Sequence, residues 1–159
     1  MCGSGSMDDD LRGFEQLKVL KKTSFQVSGD LKALDDVLSR FDKINQPSIP
    51  KKDWLQCQLA LTEGFTNAVR HAHKHLSTEI PIEIEITLRR QSMEMRIWDY
   101  GPPFDLEAFV KNLSEKVNNR SEGGRGIEIL QKIADRLSYV RTDKNRNCLL
   151  IVKQFSPLK

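Results

Sequence analysis

The sequence predicts an α/β sandwich: an α+β domain with a single mixed, mostly antiparallel sheet and helices on one face. Three observations predict it. Ile82, Ile84, Ile86 and Leu88 alternate with Glu83, Glu85, Thr87 and Arg89, the period of a strand with one face buried. Met93, Met95 and Ile97 repeat that alternation after a short break. Between Leu55 and Ala72 the apolar residues recur instead at spacings of three and four, as on an amphipathic helix. At 159 residues the chain is about one domain long, enough for a real core.

Taken in order, residues 1–20 read as a flexible or weakly helical extension ahead of a domain at 21–156. Met1 to Met7 lack a charged start followed by an apolar block, so no secretory signal is expected. Leu11, Phe14, Leu17 and Leu20 hint at a short helix. Thr23 to Val27 reads as a strand, and Asp30 as the cap of a helix built on Leu31, Leu34, Val37, Leu38 and Phe41. Pro50 then opens a long helix to about His75, with Leu55, Leu59, Ala60, Phe65, Ala68, Val69 and Ala72 on its core face. The two alternating strands follow as a hairpin turned at Gln91-Ser92. Residues 106–122 are polar, with only Leu106, Phe109, Leu113 and Val117 to hold a loose helix. Ile127, Ile129, Leu130, Ile133, Ala134 and Leu137 make another amphipathic helix, and Tyr139-Val140 and Leu149 to Val152 a closing hairpin.

Composition excludes several classes. No apolar run approaches the ~20 residues of a membrane span. A net charge of +3 is mild, and its cations lack interleaved aromatics or a finger pattern, so direct nucleic-acid binding is not expected. Cys2, Cys57 and Cys148 are odd in number and widely separated, which fits a reducing cytoplasm rather than a disulfide framework.

Three stretches carry candidate chemistry. Glu63 and Asn67 stand four apart, one turn above the other on one helix face. Asn is a poor helix-interior residue because its amide competes for backbone hydrogen bonds, though alone the pair reads as a solvated face. Asp99-x-Gly101 ends a buried strand, where a carboxylate needs donors, or simply caps a turn. Gly123-Gly124-Arg125-Gly126 precedes a helix, where backbone N–H groups can face an anion. It matches neither the P-loop nor the dinucleotide fingerprint. His71, His73 and His75 lack a third ligand in metal-site spacing and read as solvated helix-end residues. Trp54 and Trp98 read as packing.

In this order, Glu63-x-x-x-Asn67-Ala68-Val69-x-His71-Ala72, Asp99-x-Gly101-x-x-Phe104-Asp105 and Gly123-Gly124-x-Gly126-Ile127 resemble the Bergerat (GHKL) ATP-binding fold. Gyrase, heat-shock chaperone, histidine-kinase and mismatch-repair ATPases share it. Within it the likeness is to bacterial anti-sigma-factor serine/threonine kinases, over about residues 20–155. The resemblance implies ATP and Mg²⁺ as ligands. It makes Asn67 the metal ligand, Glu63 the general base and Asp99 the acceptor of the adenine amino group. It has Gly101 admit the base, and Gly123, Gly124 and Gly126 hinge a lid at 106–122 and cradle phosphates; Arg125 would reach a phosphate or the lid. It further implies two partners, a sigma factor and a small anti-sigma-factor antagonist protein that the kinase phosphorylates, and it allows a homodimer. Two departures stand out. The box reads Asp99-Tyr100-Gly101-Pro102-Pro103-Phe104 where many relatives have a second glycine after the first, and Asn147-Cys148 takes the place of a Gly-Thr that helps hold adenine. With only residues 1–22 ahead of the fold, a histidine kinase's phospho-acceptor helices are not expected. The alternative is an ATP-binding partner-switching module without phosphoryl transfer.

Overall fold

The computed structural model describes residues 18–115, 124–143 and 145–156. Its strands are β1 (Val19–Ser28), β2 (Pro81–Arg89), β3 (Ser92–Asp99), β4 (Arg136–Arg141) and β5 (Asn147–Gln154). They form one five-stranded sheet in the order β1-β2-β3-β5-β4. Every pairing is antiparallel, so the sheet is not mixed. The helices are α1 (Leu34–Asp42), α2 (Lys51–Asn67), α3 (Leu106–Glu115) and α4 (Gly124–Ile133).

The alternation in β2 and β3 does what its period requires. Ile82, Ile84, Ile86, Leu88, Met93, Met95 and Ile97 are fully buried or nearly so, beneath the helices. Their neighbours on the opposite face form a half-buried ladder in which Arg96 and Arg89 bond Glu94. The hairpin turns one residue earlier than its composition suggests, at Arg90-Gln91, because Ser92 already belongs to β3. At the other edge β1 starts at Val19 rather than Thr23, so Leu20 is a strand residue and not the end of a helix. The other residues of that expected helix, Leu11, Phe14 and Leu17, lie outside the described residues, as does Val117.

Helix α2 is the central packing element, and its buried face differs from the one expected. Leu55 and Leu59 are 50% and 44% exposed. Ala60, Phe65 and Ala68 are buried as expected, and Trp54, Cys57, Leu61 and Gly64 complete the buried face in place of the two leucines. Both rows have helical spacing, and close approach decides between them. A Cβ on Gly64 would stand 2.6 Å from Ile97 Cδ1, so the bare backbone there lets the helix settle onto β3. Trp54 stacks on Phe41 of α1 at 4.0 Å between ring centroids. Asp30 caps the first turn before α1, accepting the Lys32 N–H at 3.0 Å. Pro50 is the N-cap of α2, a position where its missing N–H costs nothing.

Candidate functional site

The site lies where α2 ends. After Asn67 the helix widens into a π turn, Ala68–Ala72, closed by the His73 N–H donating to the Ala68 carbonyl at 2.8 Å. Such turns inside helices mark functional sites more often than chance. Here the wider turn sets Asn67, His71 and Ala72 on the wall of one cavity of about 160 Å³. Pro102, Phe104, Leu106, Phe109, Ile127 and Leu149 supply most of the remaining wall, which is apolar apart from Asn67, His71 and the Tyr139 phenol. Large apolar clefts with a few convergent polar groups are the usual form of a small-molecule site.

Beside the cavity, two rows of inward-facing residues cross the sheet. Ile97, Leu149 and Tyr139 are register partners in one row. Asp99, Asn147 and Arg141 make the last row, at the tip. Asp99 is only 2% exposed, and a buried carboxylate is tolerable only when well supplied with donors. Its Oδ1 accepts the Gly101 N–H and the Asn147 amide, each at 2.9 Å. Its Oδ2 accepts the Tyr139 hydroxyl at 2.6 Å. Burial, then the hydrogen bond to Asp99 and that carboxylate's charge, hold the Tyr139 phenol well above its ordinary pKa, so it remains a donor.

The Asn147 amide also donates to the Gly101 and Pro102 carbonyls at 3.0 and 3.2 Å, and Arg141 Nη1 to the Gly101 carbonyl at 2.8 Å. The loop after β3 is therefore stapled to the β4–β5 hairpin. It is held from the other side as well. A Cβ on Gly101 would come within 2.6 Å of the Ala72 carbonyl oxygen, so glycine is required for the loop to touch the π turn. His73 is buried, contrary to its expected place on a solvated helix end, and its Nε2 accepts the Tyr100 N–H at 2.9 Å. Its pKa is lowered, chiefly by burial, with the negative charge of Asp99 pulling the other way. His75 is exposed, as expected, and His71 half-buried.

The expected site residues thus divide. Asn67 is on the cavity wall. Asp99 stands behind that wall, reached through Tyr139, and Gly101 is packed on Ala72. Glu63 rests against the first turn of α4, its Oε2 3.0 Å from where a Gly126 Cβ would sit. Arg125 in the same turn is exposed, Gly124 is the first residue of α4, and Gly123 lies outside the described residues. No group of three His, Cys, Asp or Glu side chains arranged for a metal occurs among the described residues.

Residues 27–153 match the family described as the histidine kinase-like ATPase domain. The chain belongs to that family. The same fold occurs in a solved structure. One chain of the SiaB–SiaC complex from Pseudomonas aeruginosa superposes with a TM-score of 0.59 over 98% of this chain and 99% of that one, at 9% identity. Curated relatives include serine-protein kinase RsbW of Bacillus licheniformis, 28% identical over 91 residues, which cover 54% of this chain and 56% of the relative. RsbW of Staphylococcus epidermidis is 29% identical over 89 residues, 53% and 56% of the two chains. The chain spans about half the length of the curated relatives it matches.

Within this ATPase-like domain, sequence reasoning missed Tyr139, Arg141 and the burial of His73, and left the role of Asn147 open. Tyr139 carries a faint signal, since it falls in phase with Leu137 on the inward face of its strand. His73 carries none, because a single histidine beyond a helix end has no period to betray it.

Proposed function

We propose that this domain is an ATP-dependent serine/threonine kinase and anti-sigma regulatory factor, acting in the cytoplasm from a domain at 21–156. It phosphorylates a small antagonist protein and holds a sigma factor between such events, as a monomer or a homodimer. Family membership supports the ATP reading, and the relatives named serine-protein kinase support the transfer. The single observation that carries it is Asn67 and the Tyr139–Asp99 pair meeting at one apolar cavity.

The residues fit the ligands. The cavity wall is suited to a flat base, and the Asp99 carboxylate to its amino group. Asn67 would hold Mg²⁺ through its side-chain oxygen, a hard donor of the kind that ion takes. When bound, the ion supplies neutralisation of phosphate charge. The backbone at Gly124, Arg125 and Gly126 opens α4, where unsatisfied N–H groups favour phosphate, and Arg125 is exposed to reach it. Glu63 would take the proton from the attacking serine hydroxyl as its oxygen bonds to the γ-phosphorus and the bond to ADP breaks.

A second reading, nucleotide binding without transfer, draws support from Glu63 lying against Gly126 rather than on the cavity wall. Labelled ATP, Mg²⁺ and candidate antagonist proteins separate the two. Label on an antagonist serine is the expected result, with Glu63→Gln reducing transfer by about 100-fold or more while ATP stays bound. Tight ATP retention with no labelled protein supports the second reading instead.

A further inference from the structure

We propose that the Tyr139 hydroxyl and the 6-amino group of the incoming base compete for one oxygen, Asp99 Oδ2, which makes Tyr139 the residue that sets the site's affinity and its preference for an amino purine. The proposal rests on the adenine reading above. Three observations carry it. Oδ1 already accepts two donors, from Gly101 and Asn147, so a new donor has only Oδ2 to approach. Oδ2 is taken by the phenol at 2.6 Å, a short and therefore strong charge-assisted bond. The phenol, and not the carboxylate, forms the cavity wall, while Asp99 is 2% exposed.

Because Tyr139 lines the cavity and Asp99 lies behind it, an amino group coming from the cavity reaches Oδ2 by displacing the hydroxyl. The displaced ring has aromatic neighbours to lean on: Phe104 meets it edge-on at 6.1 Å and packs in turn on Phe109 at 5.3 Å. Donor is exchanged for donor at a buried carboxylate, so a base carrying an amino group at that position can take the phenol's place without leaving Asp99 short of a donor. A purine lacking it leaves the phenol where it is. Tyr139 is in this sense a built-in stand-in for the ligand, and part of the binding energy goes to removing it.

The test compares ATP with the 5′-triphosphate of purine riboside, which lacks only the 6-amino group, by calorimetry on the full chain and on Tyr139→Phe. The phenylalanine keeps the ring and its contacts and frees Oδ2. ATP binding is expected to tighten about fivefold or more in the variant, with the purine riboside triphosphate changing by less than about twofold. In the unaltered protein, which has two tyrosines, the ring-carbon NMR signal of Tyr139 beside the hydroxyl should move on adding ATP and stay on adding the analogue. Equal or weaker ATP binding by Tyr139→Phe, or a Tyr139 signal that ignores ATP, overturns the competition while leaving the nucleotide site intact. Failure of both proteins to bind ATP at all overturns the competition and the adenine reading together.

Discussion

The two hairpins of this sheet obey the same backbone rules and serve opposite ends. In β2–β3 every inward residue from Ile82 to Ile97 is aliphatic or methionine and at most 1% exposed. In β4–β5 the inward row begins the same way, with Leu137 beside Ile151, and then turns polar at Tyr139, Arg141 and Asn147. Those polar groups do not lie idle. They hold the Asp99 carboxylate and the carbonyls of Gly101 and Pro102, so the second hairpin is a clamp on the loop that edges the cavity. The difference teaches that one hairpin stays aliphatic up to its tip while the other supplies the polar groups that hold Asp99 at that tip, although both carry register-paired antiparallel strands.

That division can be broken by paired substitutions. Ile84→Ala should be the costliest, about 3–5 kcal/mol by chemical denaturation, because the side chain is fully buried and its removal leaves a cavity. Nucleotide binding, measured where the variant is still folded, should be unchanged. Asn147→Ala should cost less, about 1–3 kcal/mol, since it leaves two loop carbonyls and part of the Asp99 carboxylate with fewer donors. It should weaken ATP binding at least as strongly as it lowers stability. If Ile84→Ala instead impaired binding more than Asn147→Ala did, the separation of core hairpin from clamp would be wrong.

The same contrast explains what was legible beforehand. A period of two repeated over Ile82 to Ile97 made the buried faces of β2 and β3 readable residue by residue, whereas the start of β1 and the extent of β4 were not. Helix α2 was readable as a helix, but its face only in part: Ala60, Phe65 and Ala68 are buried as expected, whereas Leu55 and Leu59 are exposed. Leu55 and Leu59 keep a helical interval as faithfully as Trp54, Cys57 and Leu61, and only the Ile97 side chain pressed over Gly64 chooses between them. At the site, motif order brought out Asn67 and Asp99. The groups that complete the site come from Tyr139, 40 residues beyond Asp99, and Asn147, 48 residues beyond it, and no local pattern joins them. The π turn is equally silent in sequence, because Ala68 to Ala72 is ordinary helical composition and its contact with the loop at Gly101 joins residues far apart in the chain.

His73 gives the finest test of the contrast, because it belongs to the clamp end and nothing like it sits in the β2–β3 core. It accepts the Tyr100 N–H through Nε2, which requires the neutral ring, and burial lowers its pKa from 6.5. In the unfolded chain the ring is free to take a proton at the ordinary value. Below that value the unfolded state binds more protons than the folded one, so stability must rise with pH there. The contribution is whole above about pH 6.5 and drains away as pH falls from 6.5 toward the lowered folded value. The slope can be no steeper than one proton allows, about 1.4 kcal/mol per pH unit. Denaturation curves between about pH 8 and pH 5 should show this fall, and His73→Gln should flatten it while retaining an amide to face Tyr100. Protonation should also loosen the loop from the π turn, so ATP affinity should decline over the same window in the unaltered protein and not in the variant. A pH-independent affinity beside a pH-dependent stability would detach His73 from the cavity and leave it a core residue of the same kind as those in β2 and β3.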